Sequence, residues 1–261
     1  MAVRLNLGDK LNSGQTVSDS KLWVSKDGIF TTIQGEGPRL GRLTTFLRLA
    51  GCNLACSFCD TSYSWDWTGK NGHVYHPLDE SIGTPLAEIA EQLNAKSTQS
   101  LTITGGEPLL QWAKLDELFG QLDVGWEINF ETNGTICPSW SRSNRSSHVI
   151  NYVVSPKLSN SGNPMADYTA LLNLWAHSRP TSFDLKFVCG SLDDLVEVDA
   201  FLSSVWPDGY WPRGHVWIMP QGTNPGVIDN TARLLVDDVI ARSWNLTTRY
   251  HQHLWNNARA R

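Results

Sequence analysis

The chain has 261 residues, of which 41% are hydrophobic and 18% charged, so it is long enough to bury a large core. Its formal net charge of −5 argues against a general nucleic-acid binder, which would carry a basic stripe. No apolar run approaches the roughly 18–20 residues that span a bilayer, and residues 1–19 lack the apolar region of a secretory signal. We therefore expect a cytoplasmic protein that binds neither membranes nor nucleic acid.

Six short runs, rich in β-branched or aromatic residues and closed by Gly, Pro or Asn, predict strands. They cover residues 45–49, 100–104, 127–131, 152–155, 183–188 and 216–219. Helical patterns follow at residues 86–93, 109–119, 165–176, 192–202 and 227–242. A stretch rich in Ser, Arg and Asn at residues 139–147 predicts a surface loop.

The alternation of strands and helices predicts parallel strands joined by right-handed crossovers. Six strands are fewer than the eight of a closed barrel. We therefore expect an α/β fold, an open partial (β/α) barrel of about six mainly parallel strands. Chemistry in such folds lies at the carboxyl ends of the strands.

Three of the five cysteines, Cys52, Cys56 and Cys59, follow the first predicted strand within one short loop. Their spacings of four and three residues let one loop surround a single metal cluster. Iron–sulfur clusters are normally held by four cysteines, so three leave one iron open for an exogenous ligand. Zinc is the alternative, with His73 or His76 as a further ligand.

Three later motifs put polar groups at the ends of predicted strands. The turn at residues 104–108, Thr-Gly-Gly-Glu-Pro, lets the backbone approach a ligand and offers the Glu107 carboxylate to a cationic amine. Ser155-Pro-Lys157 and Asp184-Leu-Lys186 end two further strands. The alternatives are an ordinary tight turn and solvated surface lysines.

The segment before the cysteines carries an amide and a carboxylate, Gln34 and Glu36, in a glycine-flexed loop. Such a pair can hydrogen-bond the donor edge of a guanidine-like heterocycle. Arg48 lies in an otherwise apolar strand four residues before Cys52, where an arginine requires an anionic partner. Its planar fork suits a ligand carboxylate, and a structural Asp or Glu is the alternative.

The Cys-x3-Cys-x2-Cys spacing, with Phe58 before the last cysteine, resembles the signature of the radical S-adenosylmethionine (SAM) superfamily. Over about residues 22–255 the chain resembles, more narrowly, the 7-carboxy-7-deazaguanine synthase family of the queuosine and deazapurine pathway. The motifs that carry this resemblance are Ile33-Gln-Gly-Glu-Gly37, Arg48, Cys59-Asp-Thr61, Thr104-Gly-Gly-Glu107, Glu131-Thr-Asn-Gly134, Ser155-Pro-Lys157, Leu185-Lys-Phe-Val188, Met219-Pro-Gln-Gly222 and His251 with Leu254-Trp255.

The resemblance implies a radical SAM carbon–nitrogen lyase. Such an enzyme converts 6-carboxy-5,6,7,8-tetrahydropterin to 7-carboxy-7-deazaguanine, with hydrogen abstraction by a 5′-deoxyadenosyl radical, ring contraction and loss of ammonia. The implied cofactors are a [4Fe–4S] cluster, SAM and Mg²⁺. A reductant such as flavodoxin or ferredoxin and a homodimeric assembly are also implied.

Site residues are carried over by motif position. The cluster would be held by Cys52, Cys56 and Cys59, and Mg²⁺ by Thr61. The pterin would contact Ile33, Gln34, Gly35, Glu36, Arg48, Thr104 and Glu131, with Arg48 and Glu131 also catalytic. SAM would contact Phe58, Asp60, Gly106, Glu107, Ser155, Pro156, Lys157, Asp184 and Lys186.

We take residues 1–261 as one domain, with 1–21 as an N-terminal extension, 22–44 as a substrate-loop segment and 45–261 as the partial barrel. Residues 1–20, 71–77 and 256–261 match no part of the family that we can assign.

Two rival functions stay open. One is another radical SAM enzyme, such as a glycyl-radical activase, and the other is a non-enzymatic module that uses the cysteines structurally.

Overall fold

The computed structural model describes residues 20–139, 142–163, 168–170, 182–206, 215–256 and 258–261. Its strands are β1 (Lys21–Ile33), β2 (Leu43–Leu49), β3 (Ser81–Pro85), β4 (Ser100–Gly105), β5 (Glu127–Thr132), β6 (Val149–Val154), β7 (Ser182–Cys189), β8 (Val216–Pro220) and β9 (Asn245–Leu246). Its helices are α1 (Pro77–Glu80), α2 (Leu86–Asn94), α3 (Trp112–Phe119), α4 (Arg142–Ser147), α5 (Leu192–Val205), α6 (Pro225–Ala241) and α7 (Tyr250–Trp255). Short 3₁₀ helices are Gly37–Arg39, Ser62–Ser64, Pro108–Gln111 and Ser159–Ser161.

The strands form one sheet in the order β3-β1-β2-β4-β5-β6-β7-β8-β9. From β2 to β9 all neighbours are parallel, whereas β1 pairs antiparallel with both β2 and β3. Within the described residues β3 and β9 remain as two edges, so the sheet is open. The predicted α/β fold with an open, mainly parallel sheet is confirmed, and all six predicted strands are present.

Three strands were not predicted. In β1 the pairing register shifts between Val24 and Ile29, and this irregularity breaks the alternation of polar and apolar residues that marks a strand. β3 contains Gly83 and Pro85, which weaken a strand signal, and β9 has only two residues. The parallel sheet is therefore extended at one side by an antiparallel pair.

The predicted surface loop at residues 139–147 is wrong in its second half, because residues 142–147 form α4. Asn144 in this helix donates hydrogen bonds to the backbone and side-chain oxygens of Asp116. Polar composition had suggested a loop, but this anchoring to the end of α3 favours a helix. The predicted helix at residues 165–176 lies outside the described residues except for 168–170.

The period of two along each strand divides the sheet into two faces. One face packs against helices and carries fully buried apolar side chains, among them Leu47, Leu49, Leu101, Ile103, Ile128, Phe130, Leu185 and Phe187. The helices contribute Ile89, Leu93, Leu115, Leu118, Leu195, Val198 and Leu235 to the same core. Because Arg48 alternates with Leu47 and Leu49, it lies on the opposite, inner face.

The inner face is polar and hydrogen-bonded near the amino ends of the parallel strands. Thr44 and Thr102 share a hydrogen bond of 3.0 Å, and the Asn151 amide donates to Asn129 at 3.0 Å. Buried polar groups require such partners. This layer closes the inner side below the carboxyl ends of the strands.

None of the helices in the described part of the chain combines the length and apolarity needed to cross a bilayer.

Candidate active site

A cavity of about 450 Å³ lies on the inner face, at the carboxyl ends of the parallel strands. Seventeen of the twenty predicted site residues line it. They are Ile33, Gln34, Gly35, Glu36, Arg48, Cys52, Cys56, Phe58, Cys59, Asp60, Thr61, Thr104, Gly106, Glu131, Ser155, Lys157 and Lys186. Residues from positions 33 to 186 thus converge on one space.

The cysteine loop that follows β2 is held from several sides. The Gly51 N–H donates to the Ser64 carbonyl at 2.8 Å, and the Ser57 N–H donates to the Ser161 carbonyl at 2.9 Å. The Asn71 amide donates to the Cys56 carbonyl at 3.1 Å. Asn71 belongs to the stretch that matched no family motif, so this stretch has a structural role in fixing the loop.

The three thiols suit a multi-iron cluster better than a single zinc ion. Among the described residues, three potential ligand atoms meet within 4.8 Å only at Glu36, Asp60 and His251, so the cysteine sulfurs are spread more widely. A tetrahedral zinc ion with bonds of about 2.3 Å would hold its sulfurs about 3.8 Å apart. His73 and His76 are exposed and do not line the cavity.

Burial favours the neutral thiols of these cysteines, so a metal centre would be needed to hold them as thiolates. Burial raises the pKa of the Cys52 thiol to about 12, and it raises the pKa of Cys56 as well. The neighbouring cysteine sulfurs raise both values further. A bound metal centre would supply the positive charge that stabilises the thiolates. The donor set therefore fits an iron–sulfur cluster with three protein ligands.

Gly105 at the end of β4 and Gly106 directly after it pack on the chain that leads to the cysteines. Gly105 has a φ of +131°, and a Cβ on Gly106 would collide with the carbonyl oxygen of Gly51. The Gly106 N–H donates to the Leu49 carbonyl at 3.1 Å, and the Glu107 N–H donates to the Gly51 carbonyl at 2.8 Å. This close approach admits only glycine and brings the two loops into one wall of the cavity.

The prediction that Glu107 contacts SAM is not supported by its position. Its carboxylate is fully buried outside the cavity and accepts hydrogen bonds from the Thr132 hydroxyl and from the N–H groups of Leu109 and Asn133. Burial raises the pKa of Glu107, while these three donors lower it. The side chain therefore ties the glycine loop to the end of β5.

Gln34, Thr104 and Glu131 form one hydrogen-bonded group in the cavity wall. The Gln34 amide donates to Glu131 Oε1 at 3.1 Å, and the Thr104 hydroxyl donates to Glu131 Oε2 at 2.9 Å. Gln34 Oε1 in turn accepts from the Glu36 N–H at 3.2 Å. The predicted pterin contacts are thus preassembled from β4, β5 and the loop after β1.

Glu36 lies in a buried charge network. Lys186 Nζ is 2.6 Å from Glu36 Oε2, and Arg249 lies 3.8 Å from Glu36 Oε1 and 3.4 Å from Asp60 Oδ2. Burial alone would raise the pKa of Glu36, but Lys186, Arg249 and His251 hold it well below its usual range. Both carboxylates of the Glu36, Asp60 and His251 group already face cations, so their charge is compensated by protein side chains.

Arg48 lines the cavity and, within the described part of the chain, has no carboxylate within 4.0 Å. The nearby group that it influences is Tyr63, whose pKa is raised by burial and lowered by Arg48. The structural salt bridge, which was the alternative role for Arg48, is therefore not formed. Its guanidinium faces a space that can take an anion.

Two more predicted SAM contacts do not line the cavity. Asp184 is buried and accepts hydrogen bonds of 2.9 Å from the His215 ring and 3.2 Å from the Trp217 indole, so it links β7 to β8. Pro156 is also buried outside the cavity. The two neighbours of Pro156 in the chain do line the cavity, and there Lys157 Nζ donates to the Ser155 hydroxyl at 2.8 Å.

The cavity also contains residues that sequence motifs did not assign. Arg249, His251 and Gln252 come from β9 onward, and the His251 ring lies so close to Gly35 that a Cβ there would collide with it. Residues 258–261 line the cavity too, with the Arg259 guanidinium 3.8 Å from the centre of the Tyr63 ring. The motif around His251 marked this segment as part of the family resemblance. It did not show that His251 contacts Gly35, because that contact forms only in the folded chain.

Comparisons with known proteins identify the family of the chain. Residues 47–157 match the radical SAM superfamily. The chain is 34% identical over 237 residues to the 7-carboxy-7-deazaguanine synthase of Pyrobaculum aerophilum, covering 89% of this chain and 95% of that protein. The chain belongs to the 7-carboxy-7-deazaguanine synthase family. The family enzyme of Hyperthermus butylicus is 34% identical over 195 residues, or 74% of either chain.

A solved structure agrees in fold. Crystalline QueE from Escherichia coli matches with a TM-score of 0.64 and 23% identity, covering 88% of this chain and 95% of that one. Membership of the 7-carboxy-7-deazaguanine synthase family makes the chain a radical SAM enzyme, with a [4Fe–4S] cluster and SAM as cofactors. The glycyl-radical activase and the non-enzymatic module are therefore disfavoured.

Gly106→Ala should separate the glycine loop from the cysteine loop, because its Cβ meets the Gly51 carbonyl. Overpacking of this kind costs about 1–3 kcal/mol. We expect a lower thermal midpoint and less iron per chain after anaerobic reconstitution. Gly226→Ala is the control, since the nearest atom to its Cβ lies at 3.5 Å and α6 favours alanine. Iron content equal to wild type in Gly106→Ala would contradict the role of this contact.

Lys186→Met should lower the free energy of unfolding more at high pH, where Glu36 is ionised, than at low pH. In the wild type the lowered pKa of Glu36 adds stability above its unfolded pKa, which is lost as pH falls. Without the ammonium, only Arg249 and His251 oppose the effect of burial on Glu36, so its pKa rises and the ionised form is penalised. Thermal unfolding should then show a larger loss at about pH 8 than at about pH 5, of the order of 3–5 kcal/mol for a broken buried pair.

Lys114→Met removes a surface ion pair with Glu117 and serves as the matched control. Exposed pairs contribute about 0–1 kcal/mol, so its thermal midpoint should stay close to the wild-type value at both pH values. An equal loss of stability at both pH values in Lys186→Met would contradict the assignment of an ionised Glu36.

Proposed function

We propose that this enzyme converts 6-carboxy-5,6,7,8-tetrahydropterin to 7-carboxy-7-deazaguanine with loss of ammonia. The observation that carries this proposal is the cavity-facing Arg48, which has no carboxylate partner among the described residues, in a cavity that also contains the hydrogen-bonding carboxylates of Glu36 and Glu131. A ligand that satisfies both sides needs an anionic carboxylate at one end and N–H donors at the other. The carboxypterin has both.

The pyrimidinone end of the pterin carries an amino group and a ring N–H, which are donors. Glu36 is ionised beside Lys186, and Glu131 is oriented by Gln34 and Thr104, so both carboxylates retain lone pairs for the ligand. Both acceptors are fixed before the ligand arrives, which lowers the entropic cost of binding. Ile33 and Gly35 would complete this side of the pterin site.

Arg48 would bind the pterin carboxylate with two parallel hydrogen bonds. With the carboxylate and the pyrimidinone edge both held, the reacting carbon between them has one position in the cavity. Arg48 and Glu131 would in this way control the geometry of hydrogen abstraction, the role we assign them in catalysis. Phe30 and Phe46 line the same cavity and would help to exclude water from the reacting centre.

The cluster would bind to Cys52, Cys56 and Cys59, with SAM against the open iron. Together these cofactors supply the 5′-deoxyadenosyl radical, and the protein supplies position and a dry site. Phe58, Asp60, Gly106, Ser155 and Lys157 line the cavity and remain our SAM contacts. Lys186 is bound to Glu36, and we now assign it to orienting that carboxylate rather than to SAM.

Mg²⁺ would bind at Thr61, which lines the cavity one residue after Asp60. A hydroxyl oxygen is a suitable ligand for this hard cation, which keeps several waters and accepts ligand oxygens. Near the substrate carboxylate its charge would help to orient the ring. We also propose a flavodoxin- or ferredoxin-type reductant, a homodimer, and the reducing cytoplasm as location, where cluster thiolates persist.

An anaerobic assay tests the proposal. Protein with a reconstituted cluster is incubated with dithionite, SAM, Mg²⁺ and 6-carboxytetrahydropterin, and the products are analysed by mass spectrometry. We expect 7-carboxy-7-deazaguanine from the wild type and none from Cys56→Ala. If SAM is cleaved in the wild type without formation of the deazaguanine, the proposed substrate is wrong.

Arg48→Lys should weaken pterin binding while leaving cluster content and SAM affinity unchanged, because lysine cannot reproduce the two-pronged contact. A lost charge-assisted hydrogen bond of about 1.5–3 kcal/mol corresponds to a roughly 10- to 100-fold rise in the pterin KM. Arg42→Lys, which changes an exposed partner of Glu127, is the matched control. A wild-type KM in Arg48→Lys would show that Arg48 does not bind the substrate.

A further inference from the structure

The cysteine sulfurs accept hydrogen bonds to which the proposed mechanism assigns no role. The Trp65 indole N–H donates to Cys59 Sγ at 3.2 Å, and the Asn163 amide donates to Cys56 Sγ at 3.2 Å. Cys52 Sγ accepts from the Leu54 backbone N–H at 3.5 Å. Each of the three sulfurs thus has its own N–H donor.

The direction of the two side-chain bonds follows from the chemistry of the donors. An indole nitrogen can only donate. Asn163 Oδ1 accepts from the Ala55 N–H at 2.9 Å, and because a backbone N–H cannot accept, the other end of the amide must present its NH₂ group to Cys56. Both sulfurs are therefore acceptors of side-chain N–H groups.

The position of Trp65 indicates that this contact is built into the fold. The side chain is 8% exposed, in the segment just after the 3₁₀ helix Ser62–Ser64. The same segment is held by the Trp65 N–H, which donates to the Ser62 carbonyl at 3.1 Å, and by the Asp66 N–H, which donates to that carbonyl at 2.8 Å. The indole is thus presented to the sulfur by an ordered backbone.

We propose that Trp65 and Asn163 set the reduction potential of the cluster by donating hydrogen bonds to Cys59 and Cys56. This inference rests on the proposed cluster ligation. One-electron reduction adds negative charge to the cluster and its sulfurs, and N–H donors stabilise that charge. The donors therefore raise the potential and make the cluster easier for a reductant to reduce. Asn163 lies outside the cavity lining and Trp65 is part of it, and both residues act on the cluster through the ligand sulfurs.

The test is a redox titration of the reconstituted protein without SAM, in which electron paramagnetic resonance follows the reduced cluster. Trp65→Phe removes one donor. Asn163→Ala removes the other donor without adding a charge, and the loop remains held by the Asn71 amide on the Cys56 carbonyl and by the Ser57 N–H on the Ser161 carbonyl. At the wild-type midpoint potential, we expect the ratio of reduced to oxidised cluster to fall about three- to tenfold in each variant, where tenfold equals 59 mV.

Trp112→Phe is the matched control, because its indole donates to the Ser139 carbonyl at 2.9 Å and does not line the cavity. Its midpoint should equal that of the wild type. The two bonds reach different sulfurs, so the double variant should show the sum of both shifts.

Iron and sulfide contents are measured in every sample. Lower midpoints in both variants at wild-type iron content support the proposal, and unchanged midpoints overturn it. If Trp65→Phe retains no cluster, Asn163→Ala alone decides between the same two results. A wild type that binds no [4Fe–4S] cluster would instead refute the proposed function, so the two failures are distinct.

Discussion

The buried charge network around Glu36 is the interaction on which the site depends. Lys186 from β7 and Arg249 from the segment after β9 both face Glu36, and Arg249 also reaches Asp60 in the cysteine loop. Four separate parts of the chain therefore meet through charges that are costly to bury unless paired. The network ties the proposed pterin side of the cavity to the proposed cluster side, so the two halves of the site assemble together.

Backbone contact supplies the second constraint. The glycine loop after β4 lies against the chain at Leu49 and Gly51, and Glu107 fastens the same loop to the end of β5. The cysteine loop is thereby built on neighbouring parallel strands rather than suspended from one. Rigid support of this kind is what a radical reaction requires, because the ligand must be held close to the cluster while water is excluded.

The sequence predicted the features that depend on local spacing. The cysteine spacing indicated one cluster loop, and an arginine in an apolar strand indicated an anion site, since each signal lies within a few residues. Features set by distant contacts were missed. The role of Arg249 could not be predicted, because its partner Glu36 is distant in sequence and comes close only in the folded protein. For Glu107 and Asp184, the sequence shows a carboxylate but not the donors that enclose it, so their positions outside the cavity lining could not be predicted.

The most direct test of the account is an anaerobic crystal structure of the protein with its cluster, SAM and 6-carboxytetrahydropterin. The account predicts the pterin carboxylate within hydrogen-bond distance of both Arg48 terminal nitrogens, and the pyrimidinone edge against Glu36 and Glu131. A structure in which Arg48 pairs with a protein carboxylate, and the pterin carboxylate binds elsewhere, would contradict it.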